Sequence, residues 1–202
     1  VRGSLANPLA KNYIYYEPYG LSLIMAPWNY PVQLSLVPLV GSIAAGNIAI
    51  VKLSKKASAS AHVLKEIINK SLGEYGYMAI SDEYSYESIL NEKYDHIFFT
   101  GSERVGKIVM EAASKHLTPI VLELGGKSPV IVAEDANLTL AAKRITFGKI
   151  INAGQTCIAP DYAYIHKSVY KEFLVKMREE ISKQVSQDKG KYCRIINDRE
   201  YY

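Results

Sequence analysis

Short apolar runs alternate along this chain with longer stretches whose apolar positions recur at helical spacing, and that alternation sets the fold class. Leu21 to Ala26 and Ile48 to Val51 read as buried strands. Between them Pro31 opens a helix that reaches Ala45 and ends at Gly46-Asn47. Ser58 or Ser60 caps a second helix, in which Val63, Leu64, Ile67, Ile68 and Leu72 form an apolar stripe, with Gly73 beyond its end. Tyr77 to Ile80 predicts a third strand, Tyr84 to Leu90 a short helix and His96 to Thr100 a fourth strand. Val105, Ile108, Val109, Ala112 and Ala113 mark the inner face of a helix ending near His116, and Ile120 to Leu124 predicts a fifth strand. Upstream of all these, Asn12 to Glu17 is a β-rich run closed by Pro18-Tyr19-Gly20.

Strands alternating with helices imply an α/β fold, a Rossmann-like parallel sheet covered on both faces. After Gly125-Gly126 the pattern resumes: strand Pro129 to Ala133, helix Leu138 to Ile151, a loop around Cys157, strand Tyr162 to His166 and helix Val169 to Val185. The glycine pair reads as a hinge between a unit at 1–122 and the first part of a second α/β unit at 123–202. The chain has no internal repeat and no low-complexity segment.

Composition narrows the function. Nearly half of the 202 residues are apolar, enough for a core, and the net charge of +4 comes from scattered lysines, so no basic face argues for nucleic acid. Cys157 and Cys193 form no CxxC motif, which fits free thiols in a reducing, cytoplasmic setting. The four histidines have no ligand spacing to either cysteine, so no metal site is expected. Pro18 to Val51 is free of charge, yet Pro27, Pro31, Pro38 and Gly46-Asn47 interrupt it, whereas a membrane helix needs about 20 unbroken apolar residues. A strand, a buried helix and a second buried strand account for it.

The candidate chemistry lies in small-residue frames. Leu122-Glu123-Leu124-Gly125-Gly126-Lys127-Ser128-Pro129 presents a carboxylate, and Asn152-Ala153-Gly154-Gln155-Thr156-Cys157-Ile158-Ala159-Pro160 presents a thiol. A thiol can attack a carbonyl, and a carboxylate can deprotonate the water that releases the product. Taken singly each residue has a plainer reading. Cys157, like Cys193, could be buried packing, Glu123 a paired core carboxylate, and Asn29 in Pro27-Trp28-Asn29-Tyr30-Pro31 simple turn chemistry. Gly101-Ser102, running from a strand into a helix, is either an N-cap or an anion site, and Gly106 comes too late for GxGxxG. Lys52-Leu53-Ser54-Lys55 is either a solvated lysine cluster or part of a ligand edge at the strand ends.

Together these segments resemble the aldehyde dehydrogenase superfamily, most closely its class 3 branch for fatty and aromatic aldehydes. The matching pieces are Glu17-Pro18-Tyr19-Gly20, the Pro27 to Pro31 turn, Val40 to Asn47, Phe99 to Ser102, Leu122 to Pro129 and Gly154 to Tyr162, and the likeness extends to Tyr192 to Asn197. The separation of Glu123 from Cys157, 34 residues, also agrees with the family pattern. The resemblance implies an NAD(P)-dependent oxidation of an aldehyde to a carboxylic acid. Cys157 would form a thiohemiacetal and then a thioester, and Glu123 would activate the hydrolytic water. Asn29 and the Cys157 N–H would hold the oxyanion, one such donor being worth about 3 kcal/mol. It further implies NAD or NADP held by Trp28, Lys52, Lys55, Gly101, Ser102, Gly106 and Leu124, with Ser102 at the pyrophosphate and Lys52 at the adenosine ribose. A homodimer is implied for a full-length parent chain, and Tyr30 with the neighbours of Cys157 for part of the substrate lining. Acylating members commonly lack the base, so Glu123 favours hydrolysis to a free acid.

Three departures qualify the likeness. Where the family reads Lys-Pro-Ser-Glu this chain has Lys52-Leu53-Ser54-Lys55, which exchanges a carboxylate at the ribose for an ammonium, weakens the preference for NAD and makes NADP usable. The loop after the third strand, usually glycine-containing and close to the adenine, is Ser81-Asp82-Glu83. Family chains are more than twice as long, and this one starts at Val1 with no methionine, so it reads as incomplete at both ends. Catalysis depends on positioning, and a displacement of about 1 Å can cost a hundredfold. Weak or no turnover is therefore expected of these residues alone. The alternatives are a cofactor-free thioester hydrolase built on Cys157 and Glu123, and a truncated pseudoenzyme that binds nucleotide or a partner without redox turnover.

Overall fold

The computed structural model describes residues 11–81, 83–186 and 192–198. Its first unit is built on strands β1 (Leu21–Met25), β2 (Ile48–Lys52), β3 (Met78–Ile80), β4 (His96–Thr100) and β5 (Ile120–Glu123), in the spatial order β3-β2-β1-β4-β5, and every pairing is parallel. Parallel neighbours require crossovers. These are α1 (Gln33–Ala44), α2 (Ser58–Leu72), α3 (Tyr86–Leu90) and α4 (Glu103–Ser114). A second, two-stranded parallel sheet follows, β6 (Ser128–Val132) beside β7 (Pro160–Ile165), with α5 (Leu138–Ile150) and α6 (Tyr170–Ser186) packed on each other.

The strands of the first sheet are apolar on both sides because both faces are covered. Leu23, Met25, Ile97 and Phe99 join Ile89, Leu90, Val109 and Ala113 in one core. Ile24, Ala49 and Val51 join Leu39, Ala61, Leu64 and Ile68 in a core on the other face. The alternation of Leu23, Ile24 and Met25 between the two cores is the period of a strand. Each fully buried side chain of this size stabilises the fold by about 1.5–3 kcal/mol. The second unit has its own smaller core of Val132, Leu138, Ala142 and Phe173.

Turn chemistry fixes the strand entries. Gly20 has φ +119°, and a Cβ there would collide with the Asp95 carboxylate, which instead accepts from the Leu21 N–H at 2.9 Å. Gly46 at φ +81° closes α1, with the Asn47 N–H returning to the Ser42 carbonyl at 3.0 Å.

Several sequence-based expectations change. Asn12 to Glu17 forms no strand, and Tyr13, Tyr15 and Tyr16 are exposed, since β-propensity alone does not make a strand of a run that has no partner strand among the described residues. Neither Ser58 nor Ser60 caps α2, because a 3₁₀ turn at Lys55–Ala57 feeds directly into it and its cap is Ala57. The helix expected to be buried, α1, hides only Ser35 and Leu39 while Val37 and Val40 are exposed, so it covers the sheet with one side. Among the described residues no helix is long and apolar enough to cross a membrane.

The edge strand β3 is held from its open side by a side chain. Asn69 of α2 accepts from the Ala79 N–H at 2.6 Å and donates to the Ala79 carbonyl at 3.0 Å, satisfying both backbone groups that face away from β2. Asn69→Ala is expected to cost about 1–3 kcal/mol and to speed amide exchange at Ala79. An unshifted urea midpoint would contradict this account.

Candidate active site

All five parallel strands end at one edge of the first sheet, and the residues singled out from the sequence lie on or just past those ends. The Pro27 to Pro31 turn follows β1, Lys52 closes β2, Gly101 and Ser102 follow β4, and Glu123 closes β5. Glu123 is exposed and stands in register with Thr100, and its carbonyl accepts from the Gly101 N–H at 3.0 Å.

The Cys157 loop belongs to the second unit but is bonded to the first. The Asn29 Nδ2 donates to the Gln155 carbonyl at 2.8 Å, and the Tyr30 hydroxyl shares a hydrogen bond with Thr156 Oγ1 at 2.7 Å. In return Asn152 Nδ2 donates to the Asn29 carbonyl at 2.9 Å. The chain leaving β5 lies on the same loop: a Cβ built on Gly126 would stand 2.9 Å from the Cys157 carbonyl oxygen. Only glycine fits that approach. Three segments thus meet, carrying an amide, a thiol and, three residues before Gly126, a carboxylate.

The loop is strained. Asn152 (φ 50°, ψ 31°) and Ala153 (φ 56°, ψ 30°) are both left-handed without being glycine, and Gly154 follows at φ +75°. Left-handed geometry costs a non-glycine residue roughly 1–2 kcal/mol. It persists where neighbouring bonds over-determine it, and here they do. Gln155 Nε2 donates to the Asn152 carbonyl at 2.9 Å and to the Arg194 carbonyl at 3.2 Å, its Oε1 accepts from the Ile196 N–H at 2.9 Å, and the Cys193 thiol donates to Asn152 Oδ1 at 3.3 Å. Cys157 and Ile158 are exposed at the tip, in a tight turn where the Ala159 N–H bonds the Thr156 carbonyl at 3.1 Å. The packing reading fails for both thiols, since Cys157 and Cys193 are exposed.

At the cofactor positions the placements differ. Ser102 caps α4 through the Val105 N–H at 3.4 Å and stays exposed beside the first-turn amides and Arg104. Gly106 is buried, and a Cβ there would stand 2.9 Å from the Leu124 side chain, so the two residues pack α4 against β5. A Cβ on Gly101 would lie 2.6 Å from the Phe99 ring. Lys52 is no solvated lysine: it is 3% exposed, its Nζ donates to the Leu53 carbonyl at 3.0 Å, and it lies 5.4 Å from the centre of the Tyr86 ring. Burial holds the Tyr86 phenol above its usual pKa. Lys55 and Lys56 are exposed, Lys56 Nζ being 5.4 Å from the centre of the half-buried Trp28 ring. In the next loop Glu83 accepts from the Ser81 N–H and pairs with Lys65, while Asp82 lies outside the described residues. Three ammonium groups and a helix N-terminus at one sheet edge are a donor set that fits a phosphate-bearing dinucleotide. Among the described residues no His, Cys, Asp and Glu cluster could hold a metal.

Sequence reasoning missed the parts played by Asn152 and Gln155. Both lie inside the quoted frame, but their long-range bonds to Asn29, Arg194 and Ile196 leave no trace in periodicity.

The comparisons agree with one another. The aldehyde dehydrogenase family model matches residues 3–192. The 4,4'-diaponeurosporen-aldehyde dehydrogenase of Staphylococcus aureus is 47% identical over 197 residues, covering 95% of this chain and 43% of that protein. The dimeric NADP-preferring aldehyde dehydrogenase of Mus musculus is 44% identical over 193 residues, 94% of this chain and 43% of its own. A Staphylococcus aureus AldH structure in a substrate-bound state superposes with a TM-score of 0.83 at 45% identity, covering 90% of this chain and 40% of that one. The chain therefore spans less than half the length of these relatives. With such agreement over nearly all of its own length, the chain belongs to the aldehyde dehydrogenase family.

Proposed function

We propose that this chain carries the nucleophile, the oxyanion donors and the water-activating base of an NAD(P)-dependent oxidation of an aldehyde to a carboxylic acid. The observation that carries the reading is the meeting of three segments, in which the Asn29 amide and the Gly126 backbone both contact the Cys157 loop. The Cys157 thiolate attacks the aldehyde carbon, and the carbonyl oxygen takes the negative charge. One Asn29 amide hydrogen is held by the Gln155 carbonyl, which fixes the plane of the amide; the second hydrogen and the Cys157 N–H are the donors this reading assigns to that oxygen. A nicotinamide dinucleotide, when bound, supplies the two-electron acceptor that leaves a thioester on Cys157. Glu123 then takes a proton from water, the oxygen attacks the thioester carbon, the carbon–sulfur bond breaks and the thiolate returns as the acid leaves. Lys52, Ser102 and the first turn of α4 would hold the dinucleotide, with Trp28 and Lys55 beside it, and Gly101, Gly106 and Leu124 would line its wall. A homodimer of a full-length parent chain is the assembly that goes with this reading, the mouse relative being named dimeric.

The acyl half of the chemistry needs no nucleotide, so it tests the chain directly. p-Nitrophenyl acetate is expected to release one equivalent of nitrophenol in a burst, with acetyl found on Cys157 by mass spectrometry, and Cys157→Ala abolishes the burst. Glu123→Gln is expected to keep the burst and slow deacylation by about 10²–10⁴-fold. Acetyl on any other residue, or deacylation unchanged in Glu123→Gln, rules the assignment out. Aldehyde-dependent NAD(P)H absorbance reads the redox half.

Asn152 acts on this site through position alone. Asn152→Ala removes the bond to Asn29 and leaves a left-handed backbone with less support, so a loss of about 1–3 kcal/mol is expected. Amide exchange should rise in peptides covering 28–31 and 152–158 and stay constant in β2. Uniform exchange across all of them would refute the coupling.

A further inference from the structure

We infer that Asp161 is a positioning residue for deacylation: it holds the chain that leaves Glu123 against the loop that carries Cys157. This rests on the roles proposed above for those two residues. Asp161 is four residues past Cys157, and Lys127 is four residues past Glu123. Lys127 Nζ lies 3.3 Å from Asp161 Oδ2 and 3.4 Å from its Oδ1. Lys149 Nζ, from the last turn of α5, lies 3.9 Å from the same carboxylate. One carboxylate thus joins the segment after the base, the helix end before the strained loop and the strand after the thiol.

The backbone sets Asp161 apart for this task. Ser128 pairs with Pro160 and Pro129 with Tyr162, so Asp161 is an extra residue between two ladder positions, a β-bulge. Bulges are rare in parallel pairs, and next to active sites they re-aim a side chain. Pro160, just before the bulge, is pinned to α5: a Cβ on Gly148 would stand 3.2 Å from Pro160 Cδ. On the other side a clamp is needed. The Gly125-Gly126 pair separates Glu123 from Lys127, and two consecutive glycines leave that backbone unusually free. The approach of Gly126 to the Cys157 carbonyl limits how near the two segments come. The Lys127–Asp161 pair limits how far apart they drift.

The bonds therefore divide by step. Those of Asn29 and Asn152 hold the oxyanion side of the loop, which acylation uses. The Asp161 contacts bear on the separation of the acyl sulfur from the base, which the hydrolytic step alone uses. Exposed ion pairs add little to global stability, and the Lys127 side chain is 80% exposed. The effect of the latch is accordingly read in a rate and not in a melting temperature.

The p-nitrophenyl acetate reaction of the purified chain separates the two steps. Asp161→Asn, which keeps the shape and removes the charge, is expected to slow deacylation about threefold to tenfold while the burst rate stays within about twofold. Lys127→Met should do the same, and Lys127→Arg, which keeps the cation, should hold the original rate. In the unaltered chain deacylation should slow as salt rises from about 0.01 M to about 1 M, a dependence that Asp161→Asn loses. Circular dichroism verifies the fold of each variant. Deacylation unchanged in Asp161→Asn and Lys127→Met, where Glu123→Gln slows it, overturns the inference and leaves the base standing. An equal fall of burst and deacylation, the mark of a general structural role, also overturns it. Should the variants not fold, the unaltered chain decides, and deacylation indifferent to salt overturns the inference. Deacylation unchanged in Glu123→Gln removes the proposed function and the inference together.

Discussion

The reciprocal bonding of two amide side chains across the molecule is the constraint on which the candidate site depends. Asn29 donates to the Gln155 carbonyl, and Asn152 donates to the Asn29 carbonyl, so each turn supplies a donor to the backbone of the other. A single bond of this kind contributes about 1 kcal/mol net. Two left-handed non-glycine residues cost roughly 1–2 kcal/mol each. On that balance the loop from Asn152 to Gln155 does not hold its shape by itself. It needs the first unit's turn on one side and residues Arg194 and Ile196 on the other, and the exposed thiol at its tip inherits its place from both.

Strain held from outside makes the site a property of the whole chain. The Pro27 to Pro31 turn is stiffened by two fixed proline φ angles before Asn29 bonds to anything. Gly126 then brings the exit of β5 against the Cys157 carbonyl, closer than any other residue could pass. A rigid turn, a close backbone approach and a strained loop are three separate devices, and each limits the motion left to the others. This is the kind of preorganisation that a developing oxyanion needs, because donors already in place do not have to reorganise as charge appears.

Most of the architecture was legible because burial writes itself into the sequence. Each of the seven strands among the described residues was readable to within two residues at either end, since runs such as Leu23-Ile24-Met25 are apolar on consecutive positions only when both faces are covered. Failures came where the partner decides. Tyr13 to Tyr16 have strand propensity and no partner strand among the described residues, and α1 is uncharged throughout yet buried on one side. The packing role of Gly106 against Leu124 was not legible either, since the sequence offered it a cofactor place only through the resemblance. The motifs around Asn29, Glu123 and Cys157 were legible from the resemblance, whereas the bonds of Asn152 and Gln155 that join them were not. Such pairings link residues more than a hundred positions apart, and nothing local encodes them.

Parallel strand direction explains why these residues assemble at all. Strands of five residues span about 17 Å at 3.3–3.4 Å per residue, so one reversed strand would carry its terminal residue that far from the others. With β1, β2, β4 and β5 all running the same way, Asn29, Lys52, Ser102 and Glu123 come to one edge without any attraction among their side chains. Two of those four carry opposite charge, and Lys52 is buried while Glu123 is exposed, on strands separated by β1 and β4. The Lys52 ammonium and the Glu123 carboxylate are thereby kept on different flanks of one sheet edge. On the proposed reading, the phosphates of a dinucleotide and the water that Glu123 activates then need not compete for the same charge.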